Sequence, residues 1–164
     1  MKKTMALVLA VLCAVGLAGC GKSGGGAGAP EAGTPLNTFY QGILDAQPEG
    51  AEELIFFEES DPGLIESFYP GLLSVELAQQ AFYMPPVATA PCEIVLVEVK
   101  NSGDVQTVAD IFQARIDTGA DDVAYPENAA GWAGRAQVQQ SGNFVCMIVL
   151  PEGHTIPENV FALS

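Results

Sequence analysis

Apolar side chains recur at helical spacing from residue 36 onward. Thr34-Pro35 supplies a capping hydroxyl followed by a proline, a combination that favours the start of a helix. The apolar positions that follow predict a helix to about Ala46; they are Leu36, Phe39, Tyr40, Ile43 and Leu44. Asp61-Pro62 gives a similar signal for a short second helix, which Pro70-Gly71 would end.

A longer helix is predicted after Ser102-Gly103-Asp104, with Asp104 as its cap. Its apolar face contains Val105, Val108, Ile111, Phe112 and Ile116. Gly119 is expected to end this helix, and the stretch from there to Gly134 is predicted to be a loop. A short terminal helix after Pro157 is expected to pack on the sheet through Val160, Phe161 and Leu163.

Strand patterns occupy most of the other apolar segments. Residues 93–99 are apolar on both faces at their centre, which predicts a central strand covered on both sides. Residues 136–140 and 144–150 flank Ser141-Gly142-Asn143 and predict a hairpin. Residues 77–84 are expected to form an edge strand, because the prolines just after them cannot donate ladder hydrogen bonds. The apolar run within residues 52–60 is too short to distinguish strand from helix.

These elements together predict an α+β fold, in which helices pack on one side of a small and mostly antiparallel sheet. Residues 36–164 are expected to form this single domain, since 129 residues are enough for one hydrophobic core. Residues 21–35 contain six Gly, three Ala and two Pro without apolar periodicity. We therefore expect a flexible tether over residues 20–35.

The first 19 residues have the parts of a secretory signal peptide. Lys2 and Lys3 form its basic start, and its apolar run over residues 5–17 is shorter than the roughly 20 residues of a transmembrane helix. Leu17-Ala18-Gly19-Cys20 resembles the lipobox of bacterial lipoproteins, which implies cleavage before Cys20 and a diacylglyceryl thioether on its sulfur. We therefore expect an extracytoplasmic protein that the lipid on Cys20 anchors to the cell membrane.

Charge narrows the range of partners. The chain of 164 residues has 20 acidic and six basic residues, and removal of Lys2 and Lys3 leaves a formal charge of 4 − 20 = −16. Such a surface disfavours nucleic acid and anionic lipid as partners. The partners that remain are a protein or a wall polymer, in addition to the membrane that holds the lipid.

Two cysteines, Cys92 and Cys146, remain once Cys13 leaves with the signal peptide and Cys20 is lipidated. Outside the cytoplasm this pair could form a disulfide. Both residues lie in apolar, strand-like runs, however, so two buried free thiols are the alternative. The sequence leaves both alternatives open. A catalytic pair with His154 is disfavoured, because burial would raise the pKa of the Cys146 thiol.

Asp117-Thr118-Gly119 resembles the active-site loop of retroviral-type aspartic proteases. That loop follows a strand, whereas the residues before Asp117 have a helical pattern, so we interpret the segment as the end of a helix. Zinc is not expected with a single histidine, and none of the acidic doublets has the spacing of a calcium loop. We predict no catalytic residue, no metal and no cofactor.

Three aromatic doublets suggest a binding surface: Phe56-Phe57, Phe68-Tyr69 and Phe82-Tyr83. If they lie on strands, each exposes one ring, because adjacent strand residues face opposite sides. The leading hypothesis is therefore a non-enzymatic binding or interaction domain at the cell surface. The alternative is a cell-envelope hydrolase, which would need at least two of four carboxylates to converge in one pocket. These carboxylates are Asp117, Asp121, Asp122 and Glu127.

From about Phe68 to Leu150 the chain resembles a lipoprotein family of anaerobic Gram-positive bacteria that is known as a domain of unknown function. The resemblance lies in Tyr69-Pro70-Gly71, residues 93–100, Asp104-Val105, Phe112, Arg115-Ile116, Tyr125-Pro126, Trp132, residues 142–145 and residues 147–149. It implies a domain anchored through a lipobox, and it carries over no catalytic residue. It also implies that Arg115-Ile116 ends a helix, and that the paired cysteines are particular to this chain.

Overall fold

The sheet of this protein has five strands, and helices cover both of its faces. The computed structural model describes residues 28–87 and 90–162. The helices and strands in these ranges are α1 (Leu36–Asp45), β1 (Phe57–Glu58), α2 (Pro62–Phe68), β2 (Leu77–Met84), β3 (Glu93–Val99), α3 (Val105–Ala120), α4 (Pro126–Arg135), β4 (Gln137–Ser141) and β5 (Phe144–Val149). Short 3-10 turns lie at Leu72–Ser74, Ser102–Asp104 and Val160–Ala162.

The strands follow the order β1-β2-β3-β5-β4, and each neighbouring pair is antiparallel. The α+β prediction is confirmed. The central position of β3 is confirmed as well, since all seven of its residues are buried. The predicted hairpin is formed by β4 and β5, and Gly142 adopts a φ of 57° in its turn.

The prediction that helices cover only one side of the sheet is wrong. Successive residues of β3 face opposite sides, so Val95 and Val97 pack with α2, α3 and α4 in one core. Ile94 and Leu96 pack in a second core with α1 and the 3-10 turn Val160–Ala162. Because β3 and β5 are buried along their whole length, both faces of the sheet need an apolar cover.

Residues 77–84 form a strand as predicted, but β2 is not the edge of the sheet. Its last residues, Tyr83 and Met84, pair with the two residues of β1. The segment that the sequence left open, residues 52–60, therefore contributes a very short edge strand. Its brevity explains why no period could be detected there.

The helix starts agree with the sequence only in part. Asp61 caps α2 as predicted, since its Oδ1 accepts hydrogen bonds from the backbone N–H groups of Gly63 and Leu64. The prediction of Thr34 as the cap of α1 is wrong, whereas Asp104 occupies the predicted N-cap position of α3 without the expected side-chain bond. The Thr34 hydroxyl donates to the Glu31 carbonyl instead, and Asp104 makes no side-chain capping bond to α3.

Gly119 does not end α3, and the predicted loop before Gly134 contains helix α4. The reason is close packing between the two helices. A Cβ atom on Gly119 would lie 2.5 Å from the ring of Trp132 in α4. The glycine is therefore needed for helix contact rather than for chain reversal.

The end of the predicted tether contacts the domain. The backbone N–H of Gly33 donates to Glu98 Oε1 at 2.9 Å. The side-chain amide of Gln79 donates to Glu98 Oε2 at 2.7 Å and to the Thr34 carbonyl at 3.1 Å. Residues 33 and 34 are thus held to the sheet, while the predicted signal peptide and Cys20 lie outside the described residues.

Replacing Gly119 by alanine should lower the free energy of unfolding by about 1–3 kcal/mol, because the added methyl group overlaps the Trp132 ring. Gly134→Ala is the matched control. It lies in α4, where an added Cβ would meet no atom within 4 Å, and alanine is the better helix former, so stability should not fall. Urea unfolding of both variants measures the difference, and equal losses would contradict the packing argument.

Candidate functional site

A buried ion pair connects the central strand to the helices on one face. Arg115 Nη2 in α3 donates to Glu93 Oε2 at 2.8 Å, at the start of β3. Glu93 is fully buried, and only 8% of Arg115 is exposed. The guanidinium carbon lies 4.4 Å from the ring centroid of Trp132 and 5.0 Å from that of Phe68. One arginine therefore contacts groups from α2, β3 and α4.

Burial dominates the electrostatics of this pair. It raises the pKa of the Glu93 carboxyl, while the charge of Arg115 and its hydrogen bond oppose that rise. The aromatic rings on the guanidinium give it favourable cation–π contacts in place of water. A small cavity of about 160 Å³ adjoins Arg115, with Ser67, Phe68 and Thr118 in its lining. The arrangement serves to hold α3 and α4 on the sheet.

Sequence reasoning missed this pair, although the signal was present. Glu93 begins a run that is otherwise almost entirely apolar, and Arg115 lies between Phe112 and Ile116 on the apolar face of α3. A charge at a buried position requires a partner of opposite sign. The implied helix end at Arg115-Ile116 is also wrong, since α3 continues to Ala120.

A broad, shallow concave surface lies along α1, and we name it the α1 groove. Its volume is about 790 Å³, and its lining consists of Asn37, Thr38, Tyr40, Gln41, Gly42, Asp45, Ala46 and Ala162. Amide, hydroxyl and carboxylate groups thus lie beside one aromatic ring. Such a mixture suits a ligand or partner that is partly polar.

An aromatic cluster supports this groove from behind. The rings of Tyr40 and Tyr83 stack with centroids 3.7 Å apart, and Phe56 contacts Tyr40 at 6.1 Å in an edge-on arrangement. Burial raises the pKa of both tyrosine hydroxyls. Tyr40 therefore remains neutral, packed and fixed in orientation at the rim of the groove.

The aromatic doublets behave much as their sequence suggested. Phe57 is 60% exposed, whereas Phe56 packs beside Tyr40. Phe82 is buried and Tyr83 is half-buried, as expected for adjacent residues of β2. Phe68 is half-buried and Tyr69 is buried, although Phe68 ends α2 and Tyr69 is its C-cap, so neither lies on a strand.

The four candidate carboxylates do not converge. Asp117 accepts a hydrogen bond from Gln113 on the exposed surface of α3. The segment Asp117-Thr118-Gly119 is therefore helical, as expected, and does not form the loop of an aspartic protease. Asp122 accepts from the backbone of Ala124, within its own loop. Glu127 lines a separate recess that includes none of the other three.

The two cysteines are free and buried, so the structure contains no disulfide between them. Leu96 of β3 lies opposite Cys146 of β5, and Cys92 lies four residues before Leu96. Four strand residues span about 13 Å, which is beyond the Cα separation of a disulfide. Burial raises the pKa of Cys92 to about 11 and raises that of Cys146 further. His154 contacts the carbonyl of Glu52 rather than either thiol.

Among residues 28–87 and 90–162, no group of three or more His, Cys, Asp or Glu side chains is placed to hold a metal ion. Within the same ranges, no helix is both long enough and apolar enough to cross a bilayer.

The fold and this central ion pair define an α+β domain with one helical layer on each face of an antiparallel sheet. The chain belongs to the family described as "Domain of unknown function (DUF4358)", whose model matches residues 64–150. That range includes β2 to β5, α3, α4 and the ion pair, but neither α1 nor the C-terminal turn. Searches among curated proteins and solved structures found no match.

Arg115→Met should lower the free energy of unfolding by about 3–5 kcal/mol at neutral pH, because Glu93 loses the charge that compensates its burial. Below pH 4 the loss should be smaller. A protonated Glu93 has no charge to bury. Without Arg115 nothing opposes the rise in pKa that burial causes, so the penalty grows as the pH rises from the ordinary pKa of a glutamate through the raised pKa of this carboxyl.

The double variant Arg115→Met with Glu93→Gln is the matched control, and it should recover stability and lose this additional pH dependence. Urea unfolding midpoints between pH 3 and pH 7 measure both effects relative to the parent protein. A loss in Arg115→Met that does not change with pH would show that packing, rather than charge, is responsible.

Proposed function

We propose that this member of the DUF4358 family is an extracytoplasmic lipoprotein that acts as a non-enzymatic binding domain at the cell surface. The observation that carries the proposal is the tetrapeptide Leu17-Ala18-Gly19-Cys20 after a basic start and a short apolar run. Lipid on Cys20 anchors the processed chain to the membrane, since two or more acyl chains hold a protein stably.

The contacts of residues 28–35 are consistent with this arrangement. Ala29 lies close to Gly142, because a Cβ on that glycine would meet the Ala29 methyl at 3.1 Å. Together with the bond from Gly33 to Glu98, this contact fixes where the chain enters the domain. The entry point lies at the β4–β5 turn, and the α1 groove lies on the helix that follows.

A binding role is supported by the surface rather than by a reactive centre. The α1 groove offers polar side chains next to a fixed aromatic ring, and the exposed Phe57 and Ile55 add apolar surface near the aromatic cluster. A protein or a wall polymer with both hydroxyl or amide groups and apolar parts matches such a surface. The carboxyl whose pKa burial raises, Glu93, is instead paired with Arg115 within the core.

Cys20→Ala should abolish the membrane anchor, since alanine has no sulfur to carry the lipid. When cells that express the full chain are extracted with a detergent that separates into two phases, we expect the parent protein in the detergent phase and the variant mainly in the aqueous phase. Cys146→Ala is the matched control, because that thiol is buried in the sheet. Mass spectrometry of the parent should show a lipidated N-terminal cysteine, and an unmodified N-terminus would overturn the proposal.

Asn37→Arg should weaken binding, because a long cationic side chain on this exposed position enters the α1 groove. Thr107→Arg places the same side chain on an exposed position of α3, outside the groove, and should leave binding unchanged. Retention of the membrane-anchored protein by purified wall polymer, and chemical cross-linking in intact cells, measure the difference. Equal retention and equal cross-linking of both variants would remove the groove from the proposal.

A further inference from the structure

The two edges of the sheet are protected to very different degrees. On one side β1 has only two residues and is followed by Glu59, and the uncovered part of β2 is interrupted by a register shift between Leu77 and Gln79. Short strands, charges and bulges are the usual features that keep sheet edges from pairing. The opposite edge, β4, is a regular strand of five residues that contains no charge and no proline.

The register shows which backbone groups of β4 point outward. The N–H of Val99 donates to the Asn143 carbonyl. The backbone N–H and C=O groups of the odd-numbered residues of β5 therefore point toward β3, and those of its even-numbered residues point toward β4. The partners of those even-numbered residues are Gln137, Gln139 and Ser141. Val138 and Gln140 therefore direct their N–H and C=O groups away from the sheet, and within the described residues β4 pairs only with β5.

Charge selects the kind of partner that can approach this edge. The chain has a net charge of −14, yet residues 128–151 contain no acidic residue and only one basic residue, Arg135. A second copy can therefore pair its β4 with this strand without carboxylates of the two strands facing each other, and Glu158, in the segment whose backbone binds Gln139, is an acidic residue that flanks this edge. A basic peptide finds no acidic side chain on this strand to attract it.

We propose that β4 is a self-association edge, at which two copies of this chain pair their β4 strands in antiparallel orientation. The two-fold axis passes beside Gln139, so Val138 of each copy lies opposite Gln140 of the other. Both outward-pointing residues then exchange N–H···O=C bonds with their opposites, which gives four hydrogen bonds and a continuous sheet of ten strands. The side chain of Gln139 is already bonded to the Pro157 carbonyl and the Val160 N–H, so the pairing uses the backbone.

This geometry places Gln137 of one copy directly opposite Ser141 of the other, at a position without hydrogen bonds, where the Cα atoms are about 4.5 Å apart. Cysteines at both positions, in Gln137→Cys with Ser141→Cys, should form disulfides between copies when membranes that contain the full chain are oxidised. The same two positions within one strand are about 13 Å apart and cannot bond to each other.

The two single variants are the matched controls, because in each of them the new cysteine faces a residue without a thiol. We expect a band at twice the chain mass on a non-reducing gel for the double variant, at least fivefold stronger than for either single variant. Equal dimer yields in all three would indicate random collision and overturn the proposal, as would the absence of any dimer.

A second measurement does not depend on cysteine. Gln140→Pro removes an outward N–H that β5 does not use, and it should shift the detergent-extracted protein from dimer to monomer in sedimentation. Gln80→Pro makes the same change at an outward, exposed position of β2, and should leave the dimer intact. A parent protein that sediments as a monomer at every concentration would also overturn the proposal, without bearing on the lipid anchor.

Discussion

The charge on Arg115 has to be compensated inside the protein, and this constraint organises one half of the molecule. The guanidinium is largely shielded from bulk water, and Glu93 is its counter-ion while the faces of Trp132 and Phe68 surround it. Removing either charge leaves the other buried without a partner, which is far more costly than losing a surface pair. The relative positions of α2, β3, α3 and α4 follow from satisfying this single group.

Close packing between α3 and α4 adds to the effect of the ion pair. Trp132 can lie over the guanidinium only because α4 approaches α3 at a residue without a side chain, Gly119. The aromatic ring thus has two neighbours that fix it, the arginine on one side and the bare backbone on the other. This explains why a glycine occurs near the end of a long helix that continues past it.

The second face of the sheet is built from parts outside the matched family range. Residues 64–150 supply the strands β2 to β5 and the helices around Arg115, whereas α1 and the turn Val160–Ala162 come from either side of that range. The α1 groove lies on these flanking parts. The ion pair and the β4 edge lie within the family range. The core around Arg115 thus belongs to the family domain, whereas the α1 groove is formed by segments on either side of it.

Local features of the chain were sufficient to predict the α+β class, the central β3, the β4–β5 hairpin and the Asp61 cap, because each depends on residues close together in sequence. The resemblance of residues 17–20 to a lipobox is likewise a local pattern. Contacts between distant residues decided the rest. The roles of Gly119 and Arg115 depend on Trp132 and Glu93, which lie 13 and 22 residues away, and the register of β3 against β5 separates Cys92 from Cys146. Sequence periodicity reports which side of an element is apolar, but only packing in three dimensions determines which groups meet there.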